Sequence, residues 1–99
     1  MKKTSTTSYD VAEHLRTPAE IAAYLEASFD VANGDAAFIA KALGDIARAR
    51  GMGQVARDAG LSRESLYKAL SGKRSPGFDT ILKVMNALGL KFQAAALNG

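Results

Sequence analysis

Four side chains that can bind a nucleic-acid base lie close together in the second half of the chain. They are Arg63, Glu64, Tyr67 and Lys68, and their spacing places them on one side of a helix. Arginine can donate to O6 and N7 of guanine, glutamate can accept from N4 of cytosine, and a tyrosine ring can pack on the methyl group of thymine. We therefore expect this side of the helix to read base edges in the major groove of DNA.

A second set of residues has the chemistry to hold the phosphate backbone. Phosphate oxygens carry negative charge and accept hydrogen bonds, so cations, amides and hydroxyls are their usual protein ligands. The candidates lie before, at the start of and after the predicted base-reading helix: Gln54, Arg57, Ser62, Lys73 and Arg74.

Each assignment has a structural alternative. Lys73 and Arg74 could be solvated loop charges, and Glu64 could pair with Lys68 one helical turn later. Tyr67 could pack against the following loop. An aromatic ring at an outward position among charged neighbours is costly unless it contacts something, which favours a binding role for Tyr67.

The residues around these side chains predict a helix-turn-helix over residues 53–71. The small Ala56 allows two helix backbones to approach closely, and Gly60 can take the positive φ of a tight turn. Ser62 is a natural N-cap for the second helix. The predicted buried side consists of Val55, Ala56, Ala59, Leu61, Leu66, Ala69 and Leu70.

Capping signals and apolar spacing predict two longer helices before this pair and one after it. The first begins at Pro18, behind a capping box formed by Thr17 and Glu20, and the second follows Asp35. The last covers about residues 78–88. The predicted core residues of these helices are Ile21, Leu25, Phe29, Phe38, Ile39, Ala42, Leu43, Ile46, Ala47, Ile81, Leu82, Met85 and Leu88.

Residues 90–94 alternate apolar and polar side chains, which predicts a short strand. The chain offers no second strand, so this one could pair with its copy in a second subunit, or it could be a frayed tail. The predicted fold is therefore all-α, a five-helix domain with or without a short C-terminal strand at a dimer interface.

Length and composition predict one domain. The 99 residues suffice for a core, and we expect it over residues 9–99, behind a disordered polar tail of residues 1–8. The absence of cysteine excludes disulfides, thiolate zinc sites and cysteine nucleophiles. No apolar run has the length of a signal peptide or a membrane span, so we expect a soluble cytoplasmic protein.

Charge is divided unevenly along the chain. Residues 9–47 contain seven acidic and two basic residues, a net charge of −5, whereas residues 48–99 contain nine basic and three acidic residues, a net charge of +6. This division indicates two surfaces for different partners, the basic one suited to phosphate, although chance scatter of solvated charges is the alternative.

An enzyme is the weakest interpretation. Catalysis needs converging acid, base or nucleophilic groups, and the single histidine, His14, has only Asp10 and Glu13 near it in sequence. That group makes a poorly supported metal site, so we expect no catalytic residues, no metal and no cofactor.

Motifs across the chain resemble known families. Residues 53–89, with Gly60-Leu61-Ser62 and Gly72-Lys73-Arg74, resemble the lambda-repressor-like helix-turn-helix family that includes the Xre regulators. The resemblance extends to the addiction-module antidote family and covers nearly everything after residue 8. The further segments that carry it are Tyr9-Asp10 and residues 21–25, 42–52, 63–71 and 88–91.

The resemblance implies an antitoxin of a bacterial type II toxin–antitoxin pair, which binds a small, basic ribonuclease-type toxin and represses the shared operon. The expected partners are therefore double-stranded DNA and the toxin, and we also expect a homodimer that reads a two-fold DNA site. One departure concerns the start of the first motif helix, where many Xre proteins have glutamine and this chain has Met52 and Gly53. The alternatives are a stand-alone prophage-type repressor and a toxin-binding module without DNA binding.

Overall fold

The structure, a computed structural model, describes residues 15–97. In this range the chain forms five α-helices and no β-strand: α1 Pro18–Ala32, α2 Ala36–Arg50, α3 Met52–Ala59, α4 Arg63–Ala69 and α5 Phe78–Ala87. The predicted all-helical fold is confirmed. The predicted tail of residues 1–8 and the segment that contains Asp10, Glu13 and His14 lie outside the described residues.

The starts of α1 and α2 are determined by their predicted caps. The Thr17 hydroxyl accepts from the Glu20 amide at 3.2 Å, and the Glu20 carboxylate accepts from the amides of Thr17 and Arg16 at 3.0 and 2.9 Å. The carboxylate of Asp35 accepts from two amides in the first turn of α2, those of Ala37 and Phe38. Both predicted caps are confirmed.

The core forms where α3 meets its neighbours. α1 packs on α2, and α3 packs on α2, α4 and α5. The core cluster therefore draws on every described helix, and its buried members are Leu15, Ile21, Leu25, Ala42, Leu43, Ile46, Ala47, Met52, Val55, Ala56, Leu66, Leu70, Val84, Met85 and Leu88.

A glycine allows α2 to touch the end of α4. Gly44 is buried, and a Cβ atom at this position would lie only 2.8 Å from the main-chain oxygen of Leu70. Any side chain would push the two segments apart. Gly44 thus determines how closely the end of α4 and the loop after it lie against α2.

Three predicted core residues are exposed. Phe29, Phe38 and Leu82 are each 40–42% exposed, whereas Val84, which the apolar spacing did not predict to be in the core, is fully buried. On α5 the buried face passes through residues 84, 85 and 88, and Leu82 points to another side of the helix. Phe29 lines an open groove instead of the core.

The strand predicted over residues 90–94 is not present. The Leu90 amide donates to the Met85 carbonyl at 2.8 Å, and residues 91–97 form no helix or strand. A strand is stabilised by hydrogen bonds to a neighbouring strand, and the described part of the chain supplies none. Pairing with a second subunit stays a prediction. No described helix is both long enough and apolar enough to cross a lipid bilayer.

Candidate nucleic-acid interface

The turn between α3 and α4 has the predicted geometry. Gly60 adopts φ +73°, in the left-handed region that glycine tolerates best. The Leu61 amide donates to the Ala56 carbonyl at 2.9 Å, which closes the end of α3. The chain therefore reverses in a short turn, and α4 begins only four residues after α3 ends.

Ser62 caps α4 as predicted. Its hydroxyl accepts from the Ser65 amide at 3.0 Å and donates to the Ser65 hydroxyl at 2.8 Å. The cap determines where the helix begins and therefore which side chains occupy its first turn.

Two leucines hold α4 against the core. Leu66 is fully buried, and Leu70 is 2% exposed. The predicted base-reading residues all lie on the exposed side of the same helix: Arg63, Glu64, Tyr67 and Lys68. The structure thus brings these four side chains together on a surface open to solvent.

Tyr67 and Arg63 contact each other on this surface. The Arg63 guanidinium carbon lies 5.6 Å from the centre of the Tyr67 ring, within the range of a cation–π contact. The Tyr67 side chain remains 44% exposed. Glu64 and Lys68 do not form the salt bridge that was the alternative to base reading. Among residues 15–97, the one salt bridge joins Arg48 to Asp45.

The loop after α4 brings its cations to the same place. An open depression is lined by Tyr67, Lys68, Ser71, Lys73 and Arg74. Lys68 and Arg74 also line a second depression beside it, whose other walls come from Ser65, Ala69 and residues 75–77. The loop thereby joins two predicted phosphate ligands to two predicted base-reading residues, and residues 62–77 contain four basic residues against one acidic residue.

The candidates on α3 lie apart from these depressions. Gln54 and Arg57 are exposed, but neither lines them. The Gln54 side-chain amide donates to the Asp58 carboxylate at 2.9 Å, which leaves one amide hydrogen for another acceptor.

Two positioning contacts were not predicted from the sequence. One is the approach of Gly44 to Leu70. The other links α1 to α2: the Tyr24 hydroxyl donates to the Asp45 carboxylate at 3.3 Å, and Arg48 donates to the same carboxylate at 2.6 Å. Burial, together with the Asp45 charge, raises the pKa of Tyr24. The three-residue spacing of Asp45 and Arg48 was the available signal for their pair.

The predicted metal candidate cannot be placed, because Asp10, Glu13 and His14 lie outside the described residues. Within residues 15–97, no group of three or more histidine, aspartate or glutamate side chains could hold a metal ion.

Fold and surface define a small all-helical domain that exposes a cation-rich helix and loop. The family model of probable addiction module antidote proteins matches residues 5–96, so the chain belongs to this family. The resemblance to the addiction-module antidote family is confirmed, and family membership indicates an antitoxin role. The chain is also similar to an uncharacterized protein of Haemophilus influenzae (strain ATCC 51907 / DSM 11121 / KW20 / Rd), with 58% identity over 85 residues, 86% of each chain. No solved structure matches it significantly.

Proposed function

We propose that the protein is a sequence-specific DNA-binding antitoxin that neutralises a ribonuclease-type toxin and represses its own operon. Family membership supports the antitoxin role. The observation that carries DNA binding is the exposed side of α4, where Arg63, Tyr67 and Lys68 lie beside the cationic loop. On this proposal the pair α3–α4 acts as a helix-turn-helix.

Base reading belongs to the exposed side of α4. A cation–π contact uses the face of the tyrosine ring and leaves the N–H groups of Arg63 available, so Arg63 can donate two hydrogen bonds to guanine. Tyr67 offers its ring to a thymine methyl group, and Glu64 can accept from cytosine. Lys68 lies between these side chains and the loop, where it can reach a base or a phosphate.

The loop after α4 carries the strongest candidates for phosphate binding. Lys73 and Arg74 lie beside Tyr67 and Lys68, so a strand of DNA seated against α4 would pass them. The Ser62 hydroxyl already donates to Ser65 and would have to release that bond to reach a phosphate. The remaining candidates, Gln54 and Arg57, are exposed on α3 and would contact the flanking backbone.

We place the toxin-binding surface in the acidic half of the chain. Glu26 and Asp30 on α1 are exposed, and residues 9–47 have a net charge of −5. A small, basic toxin would be attracted to this surface, because opposite charges steer association and determine its orientation. DNA and toxin would then contact different parts of the chain.

Repression follows from binding to the promoter as a homodimer. A two-fold dimer reads two half-sites about 10 base pairs apart, or a multiple of that distance. Such a protein acts in the cytoplasm, where the bacterial chromosome is.

The first experiment is fluorescence anisotropy with the DNA upstream of the gene and with a scrambled duplex, at two salt concentrations. Arg63→Ala should cost roughly 1–3 kcal/mol on the upstream DNA and change the scrambled duplex little, whereas Lys73→Ala should weaken both about equally. Lys83→Ala is the matched control, because Lys83 is an exposed cation on α5 that lines neither depression. Equal losses on both duplexes for Arg63→Ala would show that α4 does not read bases.

The second experiment adds the purified product of the neighbouring gene. An antitoxin should bind it, restore growth to cells that express it, and change its own DNA affinity in its presence. Specific DNA binding without such a partner would identify a stand-alone repressor. Partner binding without specific DNA binding would identify a toxin-binding module.

A further inference from the structure

Arg63 and Tyr67 form a pair on the exposed side of α4. The Arg63 guanidinium carbon lies 5.6 Å from the centre of the Tyr67 ring, and this cation–π contact holds the ring at one place on the helix surface. The ring remains 44% exposed, while Leu66 on the other side of α4 is fully buried. Tyr67 therefore offers a positioned apolar surface, and a ligand that removes this surface from water gains free energy of binding.

The two side chains come from successive turns of α4. On the proposed function α4 lies in the major groove, where side chains from successive turns meet neighbouring base pairs. Stacked base pairs are about 3.4 Å apart, and the centre of the Tyr67 ring is farther than that from the Arg63 guanidinium. When Arg63 binds a guanine, the ring therefore reaches the edge of the next base pair.

The group that this base pair can offer to an apolar ring is a methyl group. The major-groove edges of base pairs present hydrogen-bond donors and acceptors, together with the C5-methyl group of thymine. Cytosine has only a hydrogen atom at the same carbon, whereas 5-methylcytosine has the same methyl group as thymine. A ring that binds the methyl group therefore distinguishes thymine and 5-methylcytosine from unmodified cytosine.

The cationic loop can hold the DNA backbone beside the ring. Tyr67 lines the same open depression as Lys68, Lys73 and Arg74. A phosphate bound in this depression would belong to a nucleotide close to the one whose base meets Tyr67. Because phosphate contacts determine the register of a protein on the duplex, this contact would keep the ring at one base pair.

We infer that Arg63 and Tyr67 read two neighbouring base pairs as a unit: Arg63 binds a guanine, and Tyr67 binds the C5-methyl group of a pyrimidine in the adjacent pair. The preferred ligand is then DNA in which thymine or 5-methylcytosine lies next to this guanine. Methylation of a cytosine at this position would strengthen binding, so the affinity for DNA would depend on cytosine methylation. The inference rests on the proposed DNA-binding function and adds a dependence on one methyl group.

The first test locates the guanine by fluorescence anisotropy with modified upstream DNA. Each guanine is replaced in turn by 7-deazaguanine, which lacks the N7 acceptor that arginine uses. The guanine read by Arg63 is the one whose replacement weakens the wild type and leaves Arg63→Ala unaffected. At each base pair that flanks this guanine, the pyrimidine is then varied among thymine, uracil, 5-methylcytosine and cytosine.

At one flanking position the wild type should prefer both methylated bases. Thymine should bind more tightly than uracil, and 5-methylcytosine more tightly than cytosine, each by about fourfold per half-site, as expected for burial of one methyl-sized group. The two ratios should agree, because each pair of bases differs only in the methyl group.

Variants of the protein identify the ring as the cause. Tyr67→Ala should abolish the methyl preference, and Tyr67→Phe should keep it, because phenylalanine retains the ring and loses only the hydroxyl. Arg63→Ala should reduce the preference as well, since the ring loses the cation that positions it. Phe92→Ala is the matched control, because Phe92 is an equally exposed ring, at 43%, that does not line the cationic depression. Circular dichroism would verify that all variants fold.

Three results would overturn the inference: equal affinities for methylated and unmethylated bases at every flanking position, a methyl preference that survives Tyr67→Ala, and a preference that Arg63→Ala leaves unchanged. Any of these in a chain that still binds its upstream DNA specifically would leave the proposed function standing. Equal binding to the upstream and scrambled duplexes would instead refute the proposed DNA recognition, and the methyl dependence with it.

Discussion

The close approach of α2 to the end of α4 can be tested with one methyl group. Gly44→Ala would place a Cβ atom 2.8 Å from the Leu70 carbonyl oxygen, well inside the 3.4 Å at which ordinary contact begins. The oxygen belongs to the main chain and cannot rotate away. Relief therefore requires α2 and the end of α4 to move apart.

The change in the free energy of unfolding caused by Gly44→Ala is the difference between a steric cost and a gain in helix propensity. Overpacking of this kind costs about 1–3 kcal/mol. Alanine in place of glycine inside a helix stabilises the folded state by roughly 0.5–1 kcal/mol, because alanine loses less conformational entropy on folding. Gly44→Ala should therefore lower the free energy of unfolding by up to ~2.5 kcal/mol, and each kcal/mol corresponds to about 4–8 °C in melting temperature for a domain of this size.

Gly53→Ala on α3 is the matched control. A Cβ atom at Gly53 meets nothing within 4 Å, so this variant should show only the helix-propensity gain and become slightly more stable. Urea and thermal unfolding followed by circular dichroism would compare the two variants. Gly44→Ala should also weaken binding to the upstream DNA, because the displaced end of α4 leads into the cationic loop. If both variants stabilised the protein equally, the argument for a tight main-chain contact would be refuted.

Three further predictions concern caps and the turn. Gly60→Ala should cost about 1–2 kcal/mol, because alanine tolerates the left-handed region poorly, and unchanged stability in urea would contradict the observed φ of +73°. Ser62→Ala should cost about 1 kcal/mol by removing the cap of α4, and an equal loss for a distant exposed serine would argue against a specific capping role. The Arg16 amide, which donates to the Glu20 carboxylate, holds the pKa of Glu20 below its usual 4.5, so this contribution to stability is present above pH 4.5 and is lost as the pH falls through the lowered value. Glu20→Gln keeps the acceptor oxygen but does not titrate, so it should lose less stability than the wild type in that window, and identical acid unfolding curves would contradict the assignment.

The sequence by itself determined the local features of this protein. The capping box at Thr17, the cap at Asp35, the turn at Gly60 and the cap at Ser62 were all predicted and confirmed. Each depends on bonds between residues at most a few positions apart, or on the backbone freedom of a single glycine. The same local order placed the predicted base-reading residues on one side of α4, and motifs along the chain indicated the antidote family.

Only the tertiary structure decided which helix faces are covered. Spacing placed Leu82 and Phe29 in the core and overlooked Val84, because a helix with apolar residues on several sides buries whichever side meets a neighbour. The contact of Gly44 with Leu70 joins residues far apart in the chain and leaves no periodic signal.

The assembly of the candidate DNA-binding surface was decided in the same way. Lys73 and Arg74 come to lie beside Tyr67 because the loop after α4 folds back along that helix. The sequence shows which residues these are and in what order they occur. Whether their side chains come together depends on how α4 and its loop pack against the rest of the domain. The groove that exposes Phe92 likewise exists only where α1 meets the segment after α5, since neither segment covers the other's apolar side.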